Sequence, residues 1–202
     1  MELQGARAQR STCGAPNTTA GVRATSSAAG FHAHAVLVDG IRVCLRAIRP
    51  DDKERLRIAF KRLSPQSVYH RFFNPITELT SGDLRQLTEL DFRDHVGLVL
   101  TVEEETGERL IAVARFVRVA PGADRAELGF AVADEYQSRG AATLLLYELV
   151  ALARACGVRE FVAQMLQDNV EMLRVFQNSK LPLRQRLEQG IRHVLLRIDA
   201  QT

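Results

Sequence analysis

The stretch Gln137-Ser138-Arg139-Gly140-Ala141-Ala142-Thr143 opens an apolar helix with a glycine and two alanines. The first turn of a helix presents backbone N–H groups with no intrahelical acceptor, and the macrodipole adds partial positive charge there. Bare residues at that turn let a bulky anion such as a phosphate come close to the amides. The plainer alternative is that Gly140 eases the entry turn while the alanines pack on a sheet. Other groups with chemical potential are scattered. Glu103, Glu104 and Glu105 form a charge run in a turn and read as solvated; His95 opens a strand, where it either satisfies backbone groups or serves as a base. His70 and His193 are ambiguous. Cys44 and Cys156 fall on apolar faces and read as core, which argues against a covalent cysteine route. His32 and His34 form an H-x-H pair without further ligands, and no metal is expected.

The elements that must position these groups follow from patterning. Residues 41–48, "IRVCLRAI", alternate as a half-buried strand does. Pro50, Asp51 and Asp52 suit a helix start, and Leu56, Ile58, Phe60 and Leu63 give that helix its apolar side. Pro65 ends this helix or restarts another through "QSVYHRFF". Residues 80–91 form a further short helix capped by Thr80 or Ser81. Strands are expected at 95–103, 109–119 and 126–133, joined by turn-like segments into an antiparallel meander. A helix from Gly140, a strand at 159–166, a helix at 169–179 and a final hairpin turned at Glu188-Gln189-Gly190 complete the chain. The result is an α/β fold with a mixed, mostly antiparallel central sheet.

The 202 residues, 46% hydrophobic and 25% charged, are enough for one sizeable core and short for two. One domain is expected over 39–202, with no second domain to sense a nucleotide, after a disordered Ala-, Gly-, Ser- and Arg-rich tail at 1–38. The net charge of +3 is spread along the chain, and there is no Trp, so neither a nucleic-acid track nor stacking platforms are indicated. Three cysteines without a CxxC pair exclude a disulfide framework and a zinc site. No apolar run reaches the roughly 20 residues of a membrane helix, and no signal peptide precedes the domain, so a cytoplasmic protein without membrane partners is expected. Oligomeric state is not legible, and a homodimer stays open.

Gln137-x-x-Gly140-x-Ala142, placed after a strand and opening a helix, with Asn169 heading the next helix, resembles the signature of the Gcn5-related N-acetyltransferase (GNAT) family. The likeness runs from about Ile41 to Ile198, and "LRAIRPDD" and "RLSPQSVYHRFF" resemble the bacterial branch that holds protein lysine acetyltransferases. The resemblance implies the family's acyl-CoA N-acyltransferase fold, with helices on both sheet faces and acetyl-CoA as co-substrate. It implies that the amides of Gln137, Ser138, Arg139, Gly140, Ala141, Ala142 and Thr143 hold the pyrophosphate, with Arg139 adding charge. The backbone of Phe130, Ala131 and Val132 would pair with the pantetheine arm, and an exposed amide near Val132 would polarise the thioester carbonyl. Asn169 would contact the pantetheine. Where many members carry a tyrosine acid, this chain has Phe176, and the usual Leu-Gly-Phe is replaced by "SKLP".

Direct transfer requires a neutral amine, so a base or a water route must remove its proton. Glu127, three residues before the thioester region and on the face shared with Gly129 and Ala131, is the candidate; alternatively it is a solvated glutamate paired with an arginine such as Arg118. The expected function is acetyl transfer to a primary amine, with protein lysine as the leading acceptor. A non-catalytic acyl-CoA-binding or sensory module is the rival, favoured by Phe176 and "SKLP". Rossmann and P-loop readings fail because the required glycine and Gly-Lys-Ser/Thr patterns are missing.

Overall fold

The computed structural model describes residues 28–199. An eight-stranded sheet runs in the order β1-β2-β3-β4-β5-β6-β8-β7. Its strands are β1 (His32–Val36), β2 (Arg42–Ala47), β3 (His95–Glu104), β4 (Gly107–Arg118), β5 (Arg125–Val132), β6 (Glu160–Leu166), β7 (Leu183–Glu188) and β8 (Ile191–Arg197). Every neighbouring pair is antiparallel except β5 and β6, which run parallel because α4 (Ala141–Ala155) crosses over between them. Helices α1 (Lys53–Lys61), α2 (Pro65–Phe72) and α3 (Ser81–Thr88) cover one face of the sheet's first half; α4 and α5 (Val170–Asn178) cover the other.

The helices start where the sequence expects. Ser64 caps α2 by accepting from the Ser67 amide, with Pro65 at its first position, and Thr80 caps α3 in a reciprocal pairing with Asp83. Two apolar clusters hold the layers. Leu145, Leu149, Phe116, Phe161 and Leu196 fill the larger one under α4, while Ile48, Leu84, Phe60 and Val99 fill the smaller one under α1 to α3. Asp52, expected only to complement a helix dipole, is fully buried instead. Its carboxylate accepts two bonds of 2.7 Å from Arg46, which also donates to Glu108, so this network ties the entry of α1 to β2 and β4.

The tail expected at 1–38 is corrected at its C-terminal end. Ala28–Gly30 form a single 3-10 turn, and His32–Val36 pair with Arg42–Arg46 as an edge strand, with Ala33 and Leu37 buried. The H-x-H pair therefore belongs to a strand, where both side chains point to one face and Cys44 Sγ lies 3.3 Å from His32 Nε2. Residues 1–27, with Cys13, lie outside the described residues. Among the described residues no helix is long and apolar enough to cross a membrane, and no cluster of His, Cys, Asp or Glu could hold a metal ion.

Candidate functional site

Strands β5 and β6 pair only where Arg125–Glu127 meet Glu160–Val162, then separate. Beyond Glu127 the edge of β5 is open. Bonds from Ala133 N to Ile111 O and from Val119 N to Arg125 O set the register, in which odd-numbered residues of β5 bond to β4. Alternation along an antiparallel strand then turns the N–H and C=O groups of Phe130 and Val132 outward, toward the gap. The gap widens into a groove of about 790 Å³ lined by Gly129, Phe130, Ala131, Val132, Gly140 and Asn169. This is a strand edge to which an extended ligand could add as a further strand.

At the groove's far end stands the start of α4. Gly140 occupies the left-handed region at φ +89°, and Ser138 does so at +57°. Glycine makes the first of these inexpensive; the second is a strained position of the kind that clusters at ligand sites. The first backbone bond of the helix runs from Leu144 N to Gly140 O, and among the described residues the amides of Ser138 through Thr143 have no acceptor in the chain. These free amides, together with the outward amides of Phe130 and Val132, suit an anionic head on an extended amide-bearing arm. The residues present thus fit a CoA thioester.

The side chains around this turn do something the sequence does not reveal. Gln137 does not reach for a ligand; its Nε2 donates to Val132 O, Asp134 Oδ1 and Ser67 Oγ, which fixes the loop between β5 and α4 onto α2. Arg139 bonds Asp39 Oδ2 at 2.6 Å and lies over the Tyr136 ring, so the charge expected of it is already compensated. Val38 N also donates to Arg139 O, which makes the β1–β2 turn a clamp on the helix entry. Ser138 Oγ donates to Glu171 Oε2 at 2.9 Å, placing a carboxylate beside the anion cradle. Asn169 caps α5 by accepting from Met172 N, which leaves its NH₂ for the groove.

Phe176 is buried, edge-on to Phe130 with ring centroids 6.2 Å apart, and supplies the groove's apolar floor rather than an acid. Glu127 lines both this groove and a second cleft of about 540 Å³ that is open over β6, β7 and β8. Ala163 and Gln164 share that junction. Arg118, the arginine considered as a partner for Glu127, instead pairs with Asp94 at 2.9 Å; the cations that act on Glu127 are Arg71 and Arg115.

His70 lines the groove, 3.3 Å from Asp168, and His193 lines the second cleft; the other candidates are not brought to the site. His95 lies on the same sheet face as Arg115, and burial, with that arginine, pulls its pKa down to about 4, so it is neutral near pH 7. Glu103 and Glu105 are exposed, and Glu104 pairs with Arg109. Cys44 and Cys156 are half-buried rather than core, and burial raises both thiols, which keeps them protonated and poor nucleophiles. Arg71, which lines the groove, and Arg115, which lies behind it on β4, are the residues near the site that patterning misses. Their only signal is that Arg115 interrupts the apolar run of β4.

Residues 42–181 match the family model for the acetyltransferase (GNAT) domain. The acetyltransferase Pat of Mycolicibacterium smegmatis is 37% identical over 131 residues, which are 65% of this chain and 38% of that protein. The solved GNAT domain of S. lividans PAT superposes with a TM-score of 0.75 at 36% identity, covering 82% of this chain and 96% of that one. A cAMP-binding acyltransferase from Mycobacterium smegmatis has a TM-score of 0.60 at 29% identity, covering 83% of this chain and 47% of that one. The chain therefore spans less than half the length of the two mycobacterial relatives.

Proposed function

The chain belongs to the GNAT acetyltransferase family, and on that premise we propose that it moves the acetyl group of acetyl-CoA to a primary amine by direct attack in a ternary complex, with protein lysine as the acceptor. The observation that carries this reading is the position of Glu127 at the junction of two clefts, one edged by free strand amides and the other open for an acceptor. Acetyl-CoA supplies the activated acyl thioester. The free amides of Ser138 to Thr143 hold its pyrophosphate, and the outward N–H groups of Phe130 and Val132 bind the arm and polarise the carbonyl. Glu127 removes the proton from the incoming ammonium, directly or through one water. With Phe176 where an acid would stand, the departing thiolate takes its proton from water.

The resemblance of "LRAIRPDD" and "RLSPQSVYHRFF" to the bacterial branch that holds protein lysine acetyltransferases supports protein lysine as the acceptor class. Incubating the protein with acetyl-CoA and a mixed library of lysine peptides and small amines tests the proposal. Free thiol should appear only when an acceptor is present, with a matching acetyl mass increment on a lysine peptide. CoA binding without acceptor-dependent thiol release would favour the non-catalytic module that Phe176 suggests.

A further inference from the structure

The fold pairs its buried and half-buried arginines with care. Arg46 is held by Asp52 and Glu108, Arg118 by Asp94 and backbone carbonyls, and Arg109 by Glu104. Two arginines break the pattern. Arg71 reaches from α2 over Gly129 of β5, so close that a Cβ on that glycine would lie 2.7 Å from its Nη2. Arg115 on β4 is the cross-strand neighbour of Gly129 and lies near enough to Arg71 for the two charges to act on each other. Neither donates a hydrogen bond or forms an ion pair among the described residues; Arg71 touches the Phe72 ring at 5.2 Å, and Glu127 acts on both only at longer range.

The charges on this face leave a surplus. Arg71 and Arg115 are cationic, Glu127 is anionic, and His95 is neutral with its buried Nε2 unpartnered. Burial lowers the pKa of both arginines, and for Arg115, brought to about 10, Arg71 adds to the effect. Two cations are thus held together, half-desolvated, with one distant counter-charge. An unpaired charge in such a position is costly and is relieved by an anion. A guanidinium offers a planar fork that matches a carboxylate, and Gly129 leaves that fork open to the end of the groove where Arg71 and Glu127 meet.

We infer that the end of the groove between α2 and β5 binds a substrate carboxylate, held by Arg71 and Arg115 beside the group being transferred. The inference rests on the reading of the groove as an acyl-CoA site. The carboxylate has two chemical sources: the far end of a dicarboxylic acyl chain, or the acceptor itself. The site is built for an acidic reactant in either case, and Glu127 stands beside it to receive the amine's proton.

Two arms separate the sources. In calorimetry on the full chain, succinyl-CoA is compared with butyryl-CoA, which has the same chain length without the charge. In initial-rate assays with acetyl-CoA, a lysine peptide with glutamate beside the lysine is compared with the same peptide carrying glutamine there. At least one carboxylate-bearing partner should be preferred by about 10-fold or more, the size of a charge-assisted pair. Arg71→Gln or Arg115→Gln should abolish the preference, and Arg71→Lys, which keeps charge but loses the fork, should retain part of it; circular dichroism checks that each variant folds. Equal behaviour within both pairs in the wild type, or a preference that survives both glutamine variants, would overturn the inference while leaving the groove reading intact. Free CoA reports on that reading separately, and failure of CoA itself to bind would bring down both.

Discussion

Glu171 stands beside the α4 entry, where the proposed diphosphate would bind. Its Oε2 accepts from Ser138 Oγ at 2.9 Å, and its Oε1 is 3.0 Å from Arg174. Replacing it with glutamine has three effects of the same sign: a negative charge leaves, the Ser138 hydroxyl exchanges a charged acceptor for a weaker neutral one and turns more readily to phosphate, and Arg174 loses its counter-charge. With roughly 6 Å between charge centres, Coulomb's law in water gives about 0.7 kcal/mol per pair of unit charges. A pyrophosphate carrying about two charges doubles this, and physiological salt, with a Debye length near 8 Å, removes about half. The net gain is about 0.7 kcal/mol, or roughly threefold in affinity, approaching tenfold at low salt. Calorimetric titration of CoA into wild type and Glu171→Gln at two ionic strengths reads this directly. Unchanged or weaker binding at low salt would refute the reasoning, because it would mean that the phosphates sit away from Ser138 or that Glu171 is needed to hold Ser138 in its strained conformation.

Glu127→Gln keeps size and hydrogen bonding but cannot accept a proton, so kcat should fall by roughly 100-fold while acetyl-CoA affinity holds, with a smaller loss at high pH where more amine is neutral; wild-type kcat across the pH range would remove the role. Glu108 should set acid stability. Hydrogen bonding from Arg46, joined by Thr101, lowers its pKa from 4.5 to about 2, so it stabilises the fold above its unfolded pKa, and that contribution is lost as pH falls from about 4.5 toward 2. Chemical denaturation of Glu108→Gln between pH 6 and 2.5 should show a flatter pH dependence than wild type. Identical slopes would contradict it. Removing residues 28–37 should lower stability by about 2 kcal/mol or more through loss of buried Leu37 and Ala33, measured as a shifted denaturation midpoint; an unchanged midpoint would mean β1 is dispensable.

Local signals in this chain are strong where one residue decides a structure. Pro65 and Thr80 mark helix starts because a fixed φ and a capping oxygen act within a single turn. Gly140 marks the entry to α4 because only a residue without Cβ takes φ +89° at little cost. The strand β1 is hidden because its buried side is carried by Ala33, and alternating alanine and histidine give no hydrophobic contrast. The pairs that shape the site are equally invisible, since Asp39 with Arg139, and Ser138 with Glu171, are brought together only by the sheet order. Glu127 is legible as a strand carboxylate, but its electrostatic partners are not. Nothing in "VYHRFF" or "VARFV" says that two arginines converge on Gly129, because that meeting depends on α2 crossing β5.

The proposed role of the free amides at the start of α4 is to hold the diphosphate of an acyl-CoA. Calorimetric titration of acetyl-CoA into the wild-type chain and into Gly140→Glu tests it most directly, since that substitution puts bulk and negative charge where the phosphate must sit and strains a left-handed position. Saturable binding by the wild type, abolished in a variant whose circular dichroism still reports a folded protein, is the predicted result. A folded Gly140→Glu that binds acetyl-CoA with wild-type affinity would contradict it.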